Sequence, residues 1–282
     1  MVHGRAQGGM DPDDLRETWT KTWAKGLDPA QASRLGEIDI RFPYYADVLD
    51  ELAEAADMTL AQIATRGAAG DIDPGFAQLR AEMFEAAMDA RGLRAELMQE
   101  KSYQDRGPMQ WEWVHTIFKK LESVPGLSGT MLDRFTRDVW IYLKFPVARR
   151  SINAIVQEAL PEEGKVFVLG HSLGTVVAYD VVRGTSGISV PMLTTVGSPL
   201  GVRKISEMLE PRRYPEVVKA WFNAYDDRDI VALRPLDRYN FPVQPEIENY
   251  GKVNNQTDNA HGIAGYLNNR TVAQRLFAAI LG

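Results

Sequence analysis

The segment FVLGHSLGTVVAYD, residues 167–180, constrains the fold of this 282-residue chain more than any other stretch. Lys165 to Leu169 (KVFVL) is a short apolar run of the kind that forms a strand buried on both faces. Leu173 to Arg183 reads as an apolar helix, with Gly184 where a C-terminal cap belongs. Between them, Gly170-His171-Ser172-Leu173-Gly174 must turn the chain within five residues. So tight a strand-to-helix turn leaves no room for side chains two residues before or after the serine. It lifts the hydroxyl clear at the strand's C-terminal end, over a helix N-terminus that favours developing negative charge.

The same rhythm extends along the chain. Pro191 to Val196 and Val217 to Ala224 predict two more strands, with a weaker one at Ile247 to Val253. Helices are expected over Val147 to Leu160, Lys204 to Leu209 and about Ile263 to Leu281. At the front, Asp11-Pro12-Asp13-Asp14 is a helix start, with Asp11 as N-cap and Pro12 in the first turn. Leu15, Trp19, Trp23 and Leu27 then repeat at helical spacing. Ile38, Ile40 and Phe42 alternate and predict a strand over Glu37 to Phe42, and Ala46 to Thr65 is helical again. Strands alternating with helices imply an α/β fold, a mostly parallel central sheet flanked by helices.

Residues 67–145 differ. They read as all-helical, over Phe76 to Glu100, Met109 to Leu121 and Met131 to Phe145. Met83, Met88, Met98, Met109 and Met131 fall here, with Trp111, Trp113 and Trp140. The expected division is an α/β core at 1–66 and 146–282, with 67–145 inserted as a helical cap.

A serine hydroxyl needs a base, and the base needs orienting. In the strand–turn–helix arrangement the chain order is serine, acid, histidine. His3 and His171 precede Ser172, and His115 lies in the helical block within WEWVHTIF. His261 alone follows, on a polar stretch before the last helix, and is the candidate base. The acid belongs on the loop after the strand ending at Ala224, where Asp226, Asp227 and Asp229 stand. Asp229 is favoured because the apolar pair Ile230-Val231 draws the chain back into the core. Asp226 is the runner-up, and for Asp226 and Asp227 a role as solvated loop caps is the stronger reading. For an oxyanion hole the donors expected are the backbone amides of Leu173 and of Arg5, with Gly4 leaving room for the approach. The Arg5 guanidinium is either exposed or available to an anionic part of a substrate.

These residues together resemble the α/β-hydrolase family of serine hydrolases. The matching segments are HGR at 3–5, GHSLG at 170–174, Asp229 within DRDIVAL and His261 within AHGIAGYL. GSPLG at 197–201 is similar to the segment after the next strand in lipase-like members. The resemblance covers about 1–66 and 146–282 and places 67–145 where the family carries a variable cap. It implies an acyl-enzyme on Ser172, with His261 as acid and base and Asp229 as its partner. In the family His-Gly ends a central strand, whereas only Met1 and Val2 precede His3 here. Further apolar residues ahead of Met1 are expected to strengthen that strand.

Composition narrows the function classes. With no cysteine there is no disulfide, thiolate nucleophile or cysteine-ligated metal. A net charge of -6 argues against nucleic acid as the main partner. No stretch is apolar and long enough for a membrane-spanning helix, and residues 1–10 are too polar for a signal peptide, so a cytoplasmic protein is expected. HExxH, phosphate-loop and dinucleotide fingerprints are absent, so no metal or cofactor is expected. The leading expectation is a carboxylic-ester hydrolase acting on a small acyl ester, with an apolar acyl or alcohol group under the cap. The same residues would serve a thioesterase, lactonase, amidase or acyltransferase. A hydrolase-fold binding protein without turnover is the reading from another class. Serine at the nucleophile position excludes the dehalogenase variant, which needs aspartate there.

Overall fold

The computed structural model describes residues 1–5, 7–65, 73–90, 92–99, 129–232, 234–257 and 260–282. Helices α1 (Pro12–Lys25), α2 (Pro29–Ser33), α3 (Ala46–Thr65), α4 (Pro74–Ala90), α5 (Arg94–Gln99), α6 (Gly129–Lys144) and α7 (Pro146–Glu158) precede the first strand. Then follow β1 (Gly164–Lys165), β2 (Val168–His171), α8 (Leu173–Gly184), β3 (Ile188–Ser189), β4 (Leu193–Val196), α9 (Arg203–Met208) and β5 (Trp221–Ala224). The chain closes with β6 (Glu248–Tyr250), α10 (Ile263–Leu267) and α11 (Arg270–Leu281). Strands β2, β4, β5 and β6 form one sheet in that order, every neighbour parallel. A short parallel pair, β1 with β3, lies immediately upstream of β2 and β4. Val2 joins the free side of β2 through a single parallel bridge to Gly170.

Both faces of the sheet are covered where β2, β4 and β5 run, and these three strands are buried at every position. Trp19 and Trp23 of α1 pack with Leu267, Val272, Leu276 and Phe277 of the last two helices on one face. The Trp23 indole donates to the Ala273 carbonyl at 3.0 Å, so its one polar atom is satisfied. On the other face α8 is buried along nearly its whole length, against α6 and α7. Asp180 of α8 ties that layer together: Arg149 donates to it at 2.5 and 2.6 Å, Asn153 at 2.8 Å and Arg183 at 2.8 Å. Burial alone would raise the Asp180 pKa, but Arg149 and its other partners hold it down to about 2. Leu79, Met83, Phe84 and Met88 of α4 and Phe135 and Val139 of α6 share one continuous cluster with α8.

Several boundaries differ from the sequence expectation. Glu37 to Phe42 forms no strand; a 3-10 turn covers Arg34–Glu37 and the rest is irregular. Alternation supplies a strand's side chains but not its ladder, and Met1 makes the hydrogen bond to this segment, its terminal nitrogen donating to the Arg41 carbonyl at 2.7 Å. The expected 76–100 helix is two helices, α4 and α5, with Gly92 at φ 68° between them. The C-terminal helix is also two, because the Asn269 side chain caps a new start by accepting from Thr271 and Val272. Met98 is exposed, whereas Met83, Met88 and Trp140 are buried. The 109–121 helix, with Met109, Trp111, Trp113 and His115, lies outside the described residues. No helix among the described residues is long and apolar enough to cross a membrane.

Gly174 gives this packing a direct test. A Cβ there would stand 2.3 Å from the carbonyl oxygens of both Val2 and His3. Gly174→Ala is therefore expected to lose roughly 1–3 kcal/mol in thermal or urea unfolding. Gly184→Ala, at the open end of the same helix, is expected to be neutral or slightly stabilising.

Candidate active site

The sharp turn after β2 takes the form its spacing demands. Ser172 sits at φ 58° and ψ -131°, a left-handed conformation that costs a non-glycine residue energy unless its surroundings enforce it. The glycines on either side provide the enforcement. A Cβ on Gly170 would lie 2.7 Å from the Gly174 carbonyl, and one on Gly4 would lie 2.8 Å from the Ser172 Cβ and 3.3 Å from its Oγ. Strand, helix and N-terminal segment thus meet at backbone contact around one serine.

His261 and Asp229 arrive from two later loops. His261 Nε2 is 2.8 Å from Ser172 Oγ, and its Nδ1 is 2.8 and 2.9 Å from the two oxygens of Asp229. An ionised carboxylate only accepts, so the proton sits on Nδ1 and leaves Nε2 free to accept from the serine hydroxyl. Asp229 is fully buried, yet every direction around it is satisfied. Besides the imidazole it accepts from the amides of Val231 at 2.8 Å and Ala232 at 3.3 Å, and from the Tyr266 hydroxyl at 2.5 Å. Burial, with Asp229 beside it, pushes the Tyr266 phenol well above its ordinary pKa, so it remains a donor. Gly197, at φ 59°, lets these groups converge: a Cβ there would meet Tyr266 at 3.1 Å and Asp229 and His171 at 3.3 Å.

Asp226, the runner-up acid, does not touch His261 and is not solvated. It is buried, accepting from the Arg228 guanidinium at 2.7 Å and from the Asn255 amide at 2.6 Å. Asn255 in turn donates to the Gly262 carbonyl at 2.9 Å and accepts from the Thr257 amide at 3.0 Å. Asp226 therefore anchors the loop that carries His261. Asp227 is exposed, as expected of a loop cap.

The two other described histidines are structural partners of this site. His171 Nε2 donates to the His261 carbonyl at 2.8 Å, fixing the backbone of the loop that carries the candidate base. His3 accepts from the Tyr45 amide on Nε2 at 3.1 Å and donates from Nδ1 to the Gly4 carbonyl at 2.6 Å. Its ring stacks on Tyr45 at 4.1 Å, and the Tyr45 hydroxyl donates to the His3 carbonyl. Burial, then the neighbouring His261, lowers His171 to about 3; burial lowers His3 to about 4.

The two amides expected as oxyanion donors border the serine. Leu173 is the first residue of α8, so its N–H has no acceptor within its own helix. The Arg5 amide lies two bonds beyond the Gly4 Cα that abuts Ser172. The Arg5 guanidinium is not exposed or free for a substrate anion. Its Nε donates to the buried Asp138 of α6 at 2.5 Å, and Arg137 binds the other oxygen of that carboxylate at 3.2 Å. Phe135 of α6 stands edge-on to His261, ring centroids 6.2 Å apart, and gives the site an apolar wall.

Sequence reasoning left Tyr266, Asn255, Tyr45 and Asp138 without roles. Tyr266 follows His261 within AHGIAGYL, but its partner Asp229 is 37 residues away. No local pattern pairs them. Among the described residues no cluster of acidic and histidine side chains is arranged to hold a metal ion. No protein-family model, curated protein or solved structure matches the chain.

The buried histidines set a pH dependence. In the folded protein His171 and His3 stay neutral down to about 3 and 4, whereas in the unfolded chain they protonate near the ordinary 6.5. Unfolding takes up protons below pH 6.5, so stability is intact above that value and falls as the pH drops through 6 and 5. Each histidine contributes a slope of up to about 1.4 kcal/mol per pH unit in that window. His171→Gln is expected to flatten the dependence of Tm on pH between 4.5 and 6.5. A slope equal to the wild type would contradict the assignment.

Proposed function

We propose that the protein is a serine hydrolase of the α/β-hydrolase fold that cleaves carboxylic esters through an acyl-enzyme. The observation that carries this reading is the continuous relay from Ser172 Oγ through the His261 ring to Asp229, with a hydrogen bond of 2.8 Å at each junction. A serine with no chemical task has no reason to occupy a strained turn beside an imidazole whose far nitrogen is locked to a buried acid.

In this mechanism Ser172 Oγ attacks the ester carbonyl as His261 Nε2 takes its proton. The negative charge on the tetrahedral oxygen is met by the amides of Leu173 and Arg5, aided by the N-terminus of α8. The imidazolium, stabilised by Asp229, passes the proton to the departing alcohol oxygen as the C–O bond breaks. Water then enters, loses a proton to His261 and releases the acid from Ser172. Phe135 beside the imidazole favours an apolar group on the substrate, and residues 67–145, which include α4 to α6, form the cap over it on this reading.

A panel of p-nitrophenyl esters of increasing acyl length, run beside a thioester and a lactone, tests the proposal. The wild type should turn over esters, with Ser172→Ala and His261→Ala reduced to background. Asp229→Asn should lower kcat by roughly 10³–10⁴-fold, because the amide favours the wrong tautomer. Asp226→Asn should cost far less in kcat and show its main effect as lower Tm. Equal loss of kcat in the two asparagine variants would contradict the assignment of the acid, and a faster thioester or lactone would move the substrate class.

A further inference from the structure

The oxyanion donor drawn from the N-terminal segment depends on how one peptide plane is turned. The Arg5 N–H and the Gly4 carbonyl belong to the same trans peptide, so they point in opposite directions. His3 Nδ1 donates to the Gly4 carbonyl at 2.6 Å, which fixes one side of that plane. His3 is itself held, its ring stacked on Tyr45 and its Nε2 accepting from the Tyr45 amide. Beyond the peptide, the Tyr44 hydroxyl donates to the Gln7 carbonyl at 2.7 Å, and the Gly9 amide donates to Asp47 at 2.8 Å. These anchors all come from the start of α3 and the two residues before it.

The Arg5 side chain is held by a different helix. Its Nε donates to Asp138 Oδ2 at 2.5 Å, and Arg137 donates to Oδ1 at 3.2 Å, so each oxygen of this carboxylate meets a guanidinium. The side chains of Asp138 and Arg5 are only 2% and 17% exposed, so water competes little for the pair. Asp138 follows Phe135 by three residues on α6, so both project from one face of the helix. Phe135 meets the His261 ring and Asp138 meets Arg5. One helix face thus reaches both the candidate base and the residue that carries the donor.

We propose that Asp138 is a positioning residue, holding the Arg5 amide through the Arg5 side chain so that it faces the oxyanion formed on Ser172. On the acyl-enzyme reading, on which this rests, Ser172 Oγ bonds to the carbonyl carbon and the carbonyl electron pair moves onto oxygen. A donor stabilises that charge fully only if it is already turned toward it, because reorientation during the step consumes the gain. His3 restrains the Gly4 carbonyl end of the peptide, and the ion pair restrains the Cα of Arg5 at the other end. The same contact joins the oxyanion hole to α6, the helix that this reading places in the cap.

Two variants and their combination test this. Arg5→Met removes the guanidinium, keeps the backbone amide and leaves Asp138 paired with Arg137. Asp138→Asn removes the charge and keeps the shape. Each is expected to lower kcat on a p-nitrophenyl ester roughly 10–100-fold, with KM within about threefold of the wild type. A trifluoromethyl ketone accepts Ser172 Oγ at its carbonyl carbon and becomes a tetrahedral oxyanion, while His261 takes the serine proton. Its affinity should fall by the same factor as kcat/KM. The double variant should lose no more than either single one, because both remove one contact. Melting curves give the folded fraction to which the rates are referred. An unchanged kcat in either single variant, additive losses in the double variant, or a loss confined to KM would overturn the proposal while leaving the hydrolase reading intact. A wild type that turns over no ester would overturn that reading and this proposal with it.

Discussion

The backbone crowding around Ser172 is the constraint on which the rest of the structure depends. Gly4, Gly170, Gly174 and Gly197 each bring main chain or a buried side chain into contact that a Cβ would block. Through these four positions the N-terminal segment, β2, α8 and the turn after β4 are forced together. These contacts gather at the C-terminal ends of the parallel strands, where successive loops leave the sheet on the same side. The parallel order β2-β4-β5-β6 is what delivers Asp229 and His261 to the same place from loops after β5 and β6.

A second layer of hydrogen bonds sets where those loops stop. A buried carboxylate without hydrogen-bond partners would cost several kcal/mol. Asp229 avoids this through two backbone amides, a phenol and an imidazole. Asp226 does the equivalent one turn earlier, through Arg228 and Asn255, and so holds the stretch before His261. The two acids three residues apart divide the work: Asp229 meets the ring, and Asp226 meets the loop that presents it. His171, the last residue of β2, closes the arrangement by binding the carbonyl of His261.

Local pattern carried much of this in the sequence. The Gly-x-Ser-x-Gly spacing, the apolar strand before it and the scarcity of histidine identified Ser172 and His261, because each depends on neighbours within a few residues or on chain order. The α/β alternation, the parallel sheet and the start of α1 at Asp11 were legible for the same reason. What depends on distant partners was not. Alternation at Ile38 to Phe42 looks like a strand, yet a strand exists only when a neighbour supplies its ladder. The Arg5 side chain reads as exposed or available to a substrate anion because Asp138 is 133 residues away. Asp226 looked like a loop cap because nothing near it in sequence announces Asn255. Tyr266 carried no signal at all, since an aromatic in a short helix is ordinarily core.

The most direct measurement is mass spectrometry of the intact protein after exposure to a fluorophosphonate, which reacts readily with a serine activated by a neighbouring base. One phosphonyl adduct is expected, mapping to the peptide that contains Ser172, absent from Ser172→Ala and strongly slowed in His261→Ala. A folded wild-type protein that remains unmodified, or an adduct on another residue, would contradict the assignment of Ser172 as an activated nucleophile.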